Sequence, residues 1–246
     1  MPADRTRLEG FVLISAEPEA SAAFYAWLLN VEALSDCGVL AVESSRSEGP
    51  GASWVPVFRV ADGLVADSTS ASPDGQLWSY TVDEDEIWTA VVHQTTGLPG
   101  PGRSNVDYLS DDTAATAARY GQSLGLDPWA VVDDPYDFHL LVGDGRAAAG
   151  VVRFRTTAHI SAPRGWLVYH DVPDIAHVVG RALEANCRLV VPIASSPFNR
   201  FAVLLDPYGT PFGLSESTAE EDPAHVKVRD AAGTIAAADE VFHVLF

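Results

Sequence analysis

The stretch Trp166-Leu167-Val168-Tyr169-His170-Asp171-Val172-Pro173-Asp174 decides how this chain folds, because it occurs twice: Trp54-Val55-Pro56-Val57-Phe58-Arg59-Val60-Ala61-Asp62 aligns on it without a gap. Each copy is a run rich in β-formers that ends on an aspartate. Beyond Asp174, which can cap a helix, the apolar residues Ile175, Val178, Val179, Ala182 and Leu183 recur at helical spacing, and Asn186 suits the left-handed conformation that closes a helix. Three β-like runs follow, 188–192, 201–205 and 211–215. The last two are joined by Asp206-Pro207-Tyr208-Gly209, where proline presets the turn and glycine relaxes its end. The order is β-α-β-β-β.

The same order recurs along the chain. A helix is expected over 18–30, with Ala20, Ala23, Phe24, Trp27 and Leu28 on one stripe and Pro18 in the first turn. Another is expected from Thr113 to Leu124, between an Asp111 or Asp112 cap and Gly125. Phe24-Tyr25 through Leu29-Asn30 matches Arg119-Tyr120 through Leu124-Gly125 in place and pattern. The chain therefore divides into four modules, about 8–50, 51–98, 103–157 and 158–218. They form a first half, 8–98, and a second half, 103–218, followed by a C-terminal extension, 219–246, whose 224–229 and 241–246 read as edge strands or a packing tail. The second module is expected to be degenerate: Ser68-Thr69-Ser70-Ala71-Ser72-Pro73-Asp74-Gly75 has loop composition where its helix should stand, so that helix should be short or absent.

The bulk properties bound the partners. A chain of 246 residues can bury a substantial core. Its net charge of −19 argues against nucleic acid and anionic membranes, which would be repelled. Cys37 and Cys187 share no metal-type spacing and give no disulfide framework, so a reducing cytoplasm is the expected home. No signal peptide or membrane-spanning run is read. No serine-nucleophile elbow or phosphate-binding glycine loop occurs, Gly143-Asp144-Gly145-Arg146 reads as a hairpin turn, and the acidic run Asp83-Glu84-Asp85-Glu86 reads as a solvated turn.

A β-α-β-β-β module with an aromatic pair in its helix, Phe24-Tyr25, and a late Asp-Pro-x-Gly hairpin before Phe212-Gly213-Leu214 resembles the vicinal oxygen chelate superfamily of glyoxalases, bleomycin-resistance proteins and dioxygenases, in its four-module bacterial form. The resemblance covers about 8–218. It implies an α+β fold of repeated βαβββ modules, forming curved mixed sheets around a cleft with the helices outside. In metal-dependent members that cleft holds a divalent ion, bound by histidines, glutamines or glutamates on the first and last strands of paired modules. Carried onto this sequence, the first-strand positions fall near Gly10, Trp54, Asn105 and Trp166, and the last-strand positions near Ala90 and Gly213. None is a histidine or a carboxylate, and Glu216 lies three residues too far along. No metal and no cofactor are expected.

Alternation places Trp166, Val168 and His170 on one face of their strand, with Leu167 and Tyr169 on the other. With the first of these faces toward the cleft, Trp54, Trp166, Val168, Asn105 and Phe138 line a ligand pocket; the alternative is that the tryptophans are core plugs. His170 is the leading acid–base candidate, with Asp107 and His139 behind it; each can equally be a structural hydrogen-bonder. The remaining histidines, His93, His159, His177, His225 and His243, read as surface or packing residues.

Three functions stay open. The first is a metal-independent binding protein for a small aromatic or natural-product ligand, serving self-resistance or sequestration. The second is a metal-independent tailoring enzyme, a cyclase, isomerase or lyase, using His170 or Asp107. The third is a divalent-metal dioxygenase or lyase. A monomer or homodimer is expected.

Overall fold

The structure, a computed structural model, describes residues 6–44, 52–60, 70–71, 79–92, 100–102, 104–132, 137–143, 145–153, 164–196, 198–216 and 226–238. The first module supplies β1 (Arg7–Ser15), α1 (Pro18–Leu29) and β2 (Val39–Ser44). The second supplies β3 (Ser53–Arg59), β4 (Ser70–Ala71), β5 (Ser79–Val82) and β6 (Trp88–Val92). The third is β7 (Ser104–Leu109), α2 (Thr113–Leu124), β8 (Asp127–Val131), β9 (His139–Gly143) and β10 (Arg146–Val152). The fourth is β11 (Gly165–Asp171), α3 (Ile175–Glu184), β12 (Arg188–Ser195), β13 (Arg200–Leu205) and β14 (Pro211–Glu216). In the extension lie β15 (Lys227–Arg229) and β16 (Ile235–Ala237).

One rule builds every module: its first strand pairs in parallel with its last, so β1 lies beside β2, β3 beside β6, β7 beside β10 and β11 beside β14. A parallel pair needs a crossover, which α1, α2 and α3 provide in their modules. Modules then join through antiparallel first strands, β1 with β3 and β7 with β11. The result is two mixed sheets, one of order β2-β1-β3-β6-β5-β4 and one of order β12-β13-β14-β11-β7-β10-β9-β8-β15-β16. The third and fourth modules keep all four strands. Among the described residues the first module gives two. In the stretch 62–76, where a degenerate helix is expected, only Ser70 and Ala71 are described, as strand β4. The extension lengthens the second sheet, with β15 pairing on β8; residues 241–246 lie outside the described residues.

Local chemistry sets the helices. The carboxylates of Asp112 and Asp174 accept the Ala115 and His177 N–H groups, capping α2 and α3. α1 lacks such a side-chain cap, starts on Pro18, and closes on Asn30 in the left-handed conformation. Its buried face is Ser21, Tyr25 and Leu28, so the expected stripe is rotated: Trp27 is 48% exposed, with Arg181 stacked on its ring. In α3 the expected stripe holds for Ile175, Val178, Val179 and Ala182, while Leu183 is exposed.

The main core lies where the two sheets and the three helices meet, β3 passing against β11 and α1 against α3. Two related contacts fasten the halves. The Tyr25 hydroxyl of α1 donates to Asp206 in the β13–β14 turn, and the Tyr120 hydroxyl of α2 donates to Asp83 in the β5–β6 turn. Asp83 also accepts from Tyr108 and pairs with Arg119, so the acidic run is a docking turn. Among the described residues no helix is long and apolar enough to cross a membrane.

Candidate functional site

The two faces of β11 meet different surroundings. Trp166, Val168 and His170 do share a face, and it is the one buried against α1, α2 and β3. Trp166 packs on Tyr108, Tyr120 and Phe58, and its indole N–H donates to Thr89. Its repeat mate Trp54 packs on Tyr25 and on His170. His170 is 1% exposed, with Nδ1 3.0 Å from the Ser104 hydroxyl, and burial lowers its pKa to about 3. An imidazole held neutral between two halves of a core has no solvent route for a proton. The expected assignment of Trp54, Trp166, Val168 and His170 to a ligand pocket is therefore corrected: they are core residues, because the helices and the first-half sheet cover that face. His139 sits opposite Val151, on the helix side of the same sheet, away from Asp107; burial lowers its pKa against the opposing charge of Asp137.

The helix-free face carries the other residues of the same strands. An apolar floor of Leu109, Val152, Leu167, Val190, Phe201 and Val203 runs across it, with Phe138 packed alongside. Three polar side chains interrupt that floor. On β7, Asp107 stands opposite Leu167, and Asn105 opposite Tyr169 of β11. The Tyr169 hydroxyl is buried and has no hydrogen-bond partner among the described residues. Asp107 keeps some solvent-accessible surface, yet burial raises its pKa to about 7. Burial and the charge of Asp107 push the Tyr169 phenol well above its ordinary range. A buried polar group without a hydrogen-bond partner is uncommon in folded proteins.

Asp107 and Tyr169 are repeat mates, each five residues before its helix cap, Asp112 or Asp174. Each leans over a glycine of the parallel neighbour. A Cβ on Gly150 would stand 2.1 Å from the Asp107 carboxylate and 2.6 Å from the Phe138 ring, and one on Gly213 would stand 2.2 Å from the Tyr169 ring. Neither glycine can be enlarged without moving these side chains.

No family model and no curated relative matches this sequence. Solved structures do. The 2,2',3-trihydroxybiphenyl 1,2-dioxygenase from the dibenzofuran-degrading Sphingomonas wittichii strain RW1 is similar over 98% of this chain and 95% of its own, with a TM-score of 0.55 and 12% identity. The 2,3-dioxygenase LapB from Pseudomonas sp. KL28 matches over 97% of this chain and 96% of its own, at TM-score 0.57 and 12% identity. The Mn(II)-bound glyoxalase from Novosphingobium aromaticivorans matches over 99% and 89%, at TM-score 0.56 and 12% identity. The fold is that of the vicinal oxygen chelate superfamily. Within a vicinal oxygen chelate fold the metal positions can be tested against this chain's side chains. The residue of β11 on the helix-free face is Leu167, one place on from the expected Trp166, and a leucine offers no donor. At Gly213 the space for a ligating side chain is filled by the Tyr169 ring. Glu216 is engaged by Arg200 and by the first N–H of α3. Among the described residues no three of histidine, cysteine, aspartate and glutamate come together in a group able to hold a metal. The donor set does not fit a divalent ion.

Of the sequence candidates, the structure brings Asn105, Asp107 and Phe138 together and separates them from His170 and His139. Tyr169 was missed. Counted back five residues from the helix caps Asp112 and Asp174, Tyr169 takes the place in the fourth module that Asp107 takes in the third. His177 is exposed on α3; His93, His159, His225 and His243 lie outside the described residues.

Proposed function

We propose that this chain is a metal-independent small-molecule-binding protein that holds an aromatic or natural-product ligand against the helix-free face of the second-half sheet, in sequestration or self-resistance. The observation that carries this reading is the set of polar side chains Asn105, Asp107 and Tyr169 on an apolar floor, the Tyr169 hydroxyl without a partner among the described residues, at the place where the fold would otherwise offer metal ligands. Phe138 supplies ring surface beside the carboxyl. A metal-independent isomerase or lyase is the second reading, favoured by one feature: a carboxyl raised to about 7 can both take and give a proton near neutral pH. In that case Asp107, with its partial access to solvent, is the acid–base group in place of His170.

Calorimetric titration of chelator-treated protein with small phenols, indoles and naphthalenes tests both. One-to-one binding, weakened about tenfold by Phe138→Ala, is the expected result, and mass analysis of the recovered ligand separates holding from turnover. Binding that appears only after Mn(II) or Fe(II) is added, or no binding across the panel, overturns the proposal.

A further inference from the structure

The floor of the proposed site is sealed although no helix among the described residues packs on it: Leu167 and Val203 are 0% exposed, and Phe201, the most open of the six floor residues, is 5% exposed. A ligand the size of one aromatic ring cannot reach side chains this deeply covered until an element of the protein moves. The sheet shows where. Its strand order runs from β12 at one end to β15 and β16 at the other, yet Phe198, between β12 and β13, packs with Leu140 and Val142 of β9 and Val228 of β15 in one apolar cluster, its ring 5.4 Å from that of Phe138. The sheet is therefore rolled until its two ends meet, and Phe138 packs against both that seam and the floor. At the seam lies the C-terminal extension, with Val226, Val228 and Ala238 buried in it. We propose that the extension is a strap that closes the seam, and that β15 and β16 come away from β8 to admit a ligand to the floor beside Phe138. The inference rests on the binding reading above and adds how access to that site is regulated.

Two arguments single out the extension as the moving part. The first is its hold on the sheet. Val228 and Arg229 face Val131 and Ala130 of β8, the Val132 N–H donates to the Lys227 carbonyl, and β16 stands at the sheet's edge, paired with β15. Across the seam, β13 and β14 are zipped along their whole lengths, from Arg200 opposite Glu216 to Leu205 opposite Pro211. Short pairs at an edge open at lower free energy than long ladders inside a sheet, and segments that admit ligands are drawn from that low end. The second argument is what the strap's faces carry. Val226 and Val228 enter the seam, whereas Lys227 and Arg229 alternate to solvent and Ile235 of β16 is 51% exposed. One apolar face therefore lies on Leu140, Val142 and Phe198, and the surface uncovered when it lifts is the kind that an aromatic ligand covers in its place.

A cross-strand disulfide tests the strap in the full chain. Directly opposed residues of an antiparallel pair stand about 4.5–5.5 Å apart, a separation a disulfide spans, so Ala130→Cys combined with Arg229→Cys ties β15 to β8 without altering the face that enters the seam. The double variant, its bond between positions 130 and 229 verified by peptide mapping, is titrated with 1-naphthol before and after reduction. The oxidised form is expected to bind about tenfold more weakly than the parent, and reduction to restore parental binding, which a misfolded variant would not do. In the opposite direction, Val228→Asp, shown to be folded by circular dichroism, places a charge in the seam and should speed 1-naphthol association about threefold in stopped-flow tryptophan fluorescence. Equal binding by the oxidised and reduced forms, or association in Val228→Asp no faster than in the parent, overturns the strap and leaves the binding reading standing. Absence of binding by the parent and by both forms of the double variant, to 1-naphthol and then to the rest of the aromatic panel, overturns the binding reading and the strap with it.

Discussion

The two sides of strand β11 are one residue apart in sequence and differ in almost everything else. Trp166, Val168 and His170 look into an interior where the Trp166 indole bonds Thr89 and the His170 Nδ1 bonds Ser104 while its Nε2 stays unpartnered among the described residues, whereas Leu167 and Tyr169 look onto a face where the Tyr169 hydroxyl has no partner among the described residues. The period-two alternation of a strand says which residues travel together; it does not say which set is sealed. That is decided by what packs on the sheet. Here three helices and a second sheet close one side, and among the described residues no helix packs on the other. Catalytic residue types placed on the closed side become structural. The Asp107 carboxyl, on the other side, keeps some surface for solvent.

The largest effect that could break this comparison is at Trp166. Truncation to alanine empties a site packed by Tyr108, Tyr120 and Phe58 and removes the hydrogen bond to Thr89, so Trp166→Ala should cost about 3–5 kcal/mol of stability. Phe138→Ala, on the helix-free face, should cost clearly less. Denaturant midpoints of the two variants make the measurement. A Trp166→Ala variant of nearly parental stability would return the indole to the role of a ligand contact.

His170→Phe tests the same face by a smaller margin and through pH. Its repeat mate is Phe58, so the core already accommodates a phenyl ring at the equivalent place. The sign follows from the direction of the shift: His170 has a folded pKa of about 3 against an ordinary 6.5, so below 6.5 the unfolded chain takes up a proton that the folded chain refuses. Parental stability therefore falls as pH drops from about 6.5 toward 3, by up to about 1.4 kcal/mol per pH unit. The phenylalanine variant escapes that loss. It gives up the Ser104 hydrogen bond, about 1 kcal/mol, which leaves it the weaker protein at pH 7.5 and the stronger one near pH 5. Parallel curves of stability against pH for the two proteins would show that His170 titrates freely.

Much of this architecture was legible in the sequence. The repeat gave the module order, Asp112 and Asp174 announced two helix starts, and Asp206-Pro207-Tyr208-Gly209 marked its hairpin. The proposed site was half legible. Asn105, Asp107 and Phe138 were visible as candidates, but His170 outranked them because an imidazole carries chemistry wherever it is solvated, and solvation is a tertiary property. The α1 stripe failed for a related reason: Trp27 is apolar enough to be taken for core, while Arg181 covers its ring at the surface and Ser21 takes the buried place. In the first module β2 follows α1 as the parallel partner of β1, a register set by strand pairing rather than by local pattern.

The smallest predicted effect lies at Asp107, and its sign is the informative part. The folded-state pKa is raised to about 7 against an ordinary 3.8, so between those values the folded chain holds a proton that the unfolded chain has released. Stability should decline as pH rises from about 4 to 7 and level off above, where the carboxylate is charged in both states and poorly solvated in one. Asp107→Asn removes the charge with little change of shape and should flatten that decline. Because some surface of Asp107 still reaches solvent, screening limits the gain to on the order of 1 kcal/mol at pH 8, with near equality at pH 4. Such a variant would be sturdier and, on the proposed function, the poorer binder. That combination is expected where a polar group is kept for a ligand rather than for the fold. Thermal midpoints at pH 4, 6 and 8 suffice. If Asp107→Asn destabilises the protein at all three, the carboxyl is a satisfied structural group, and the contrast between the two faces of the sheet dissolves.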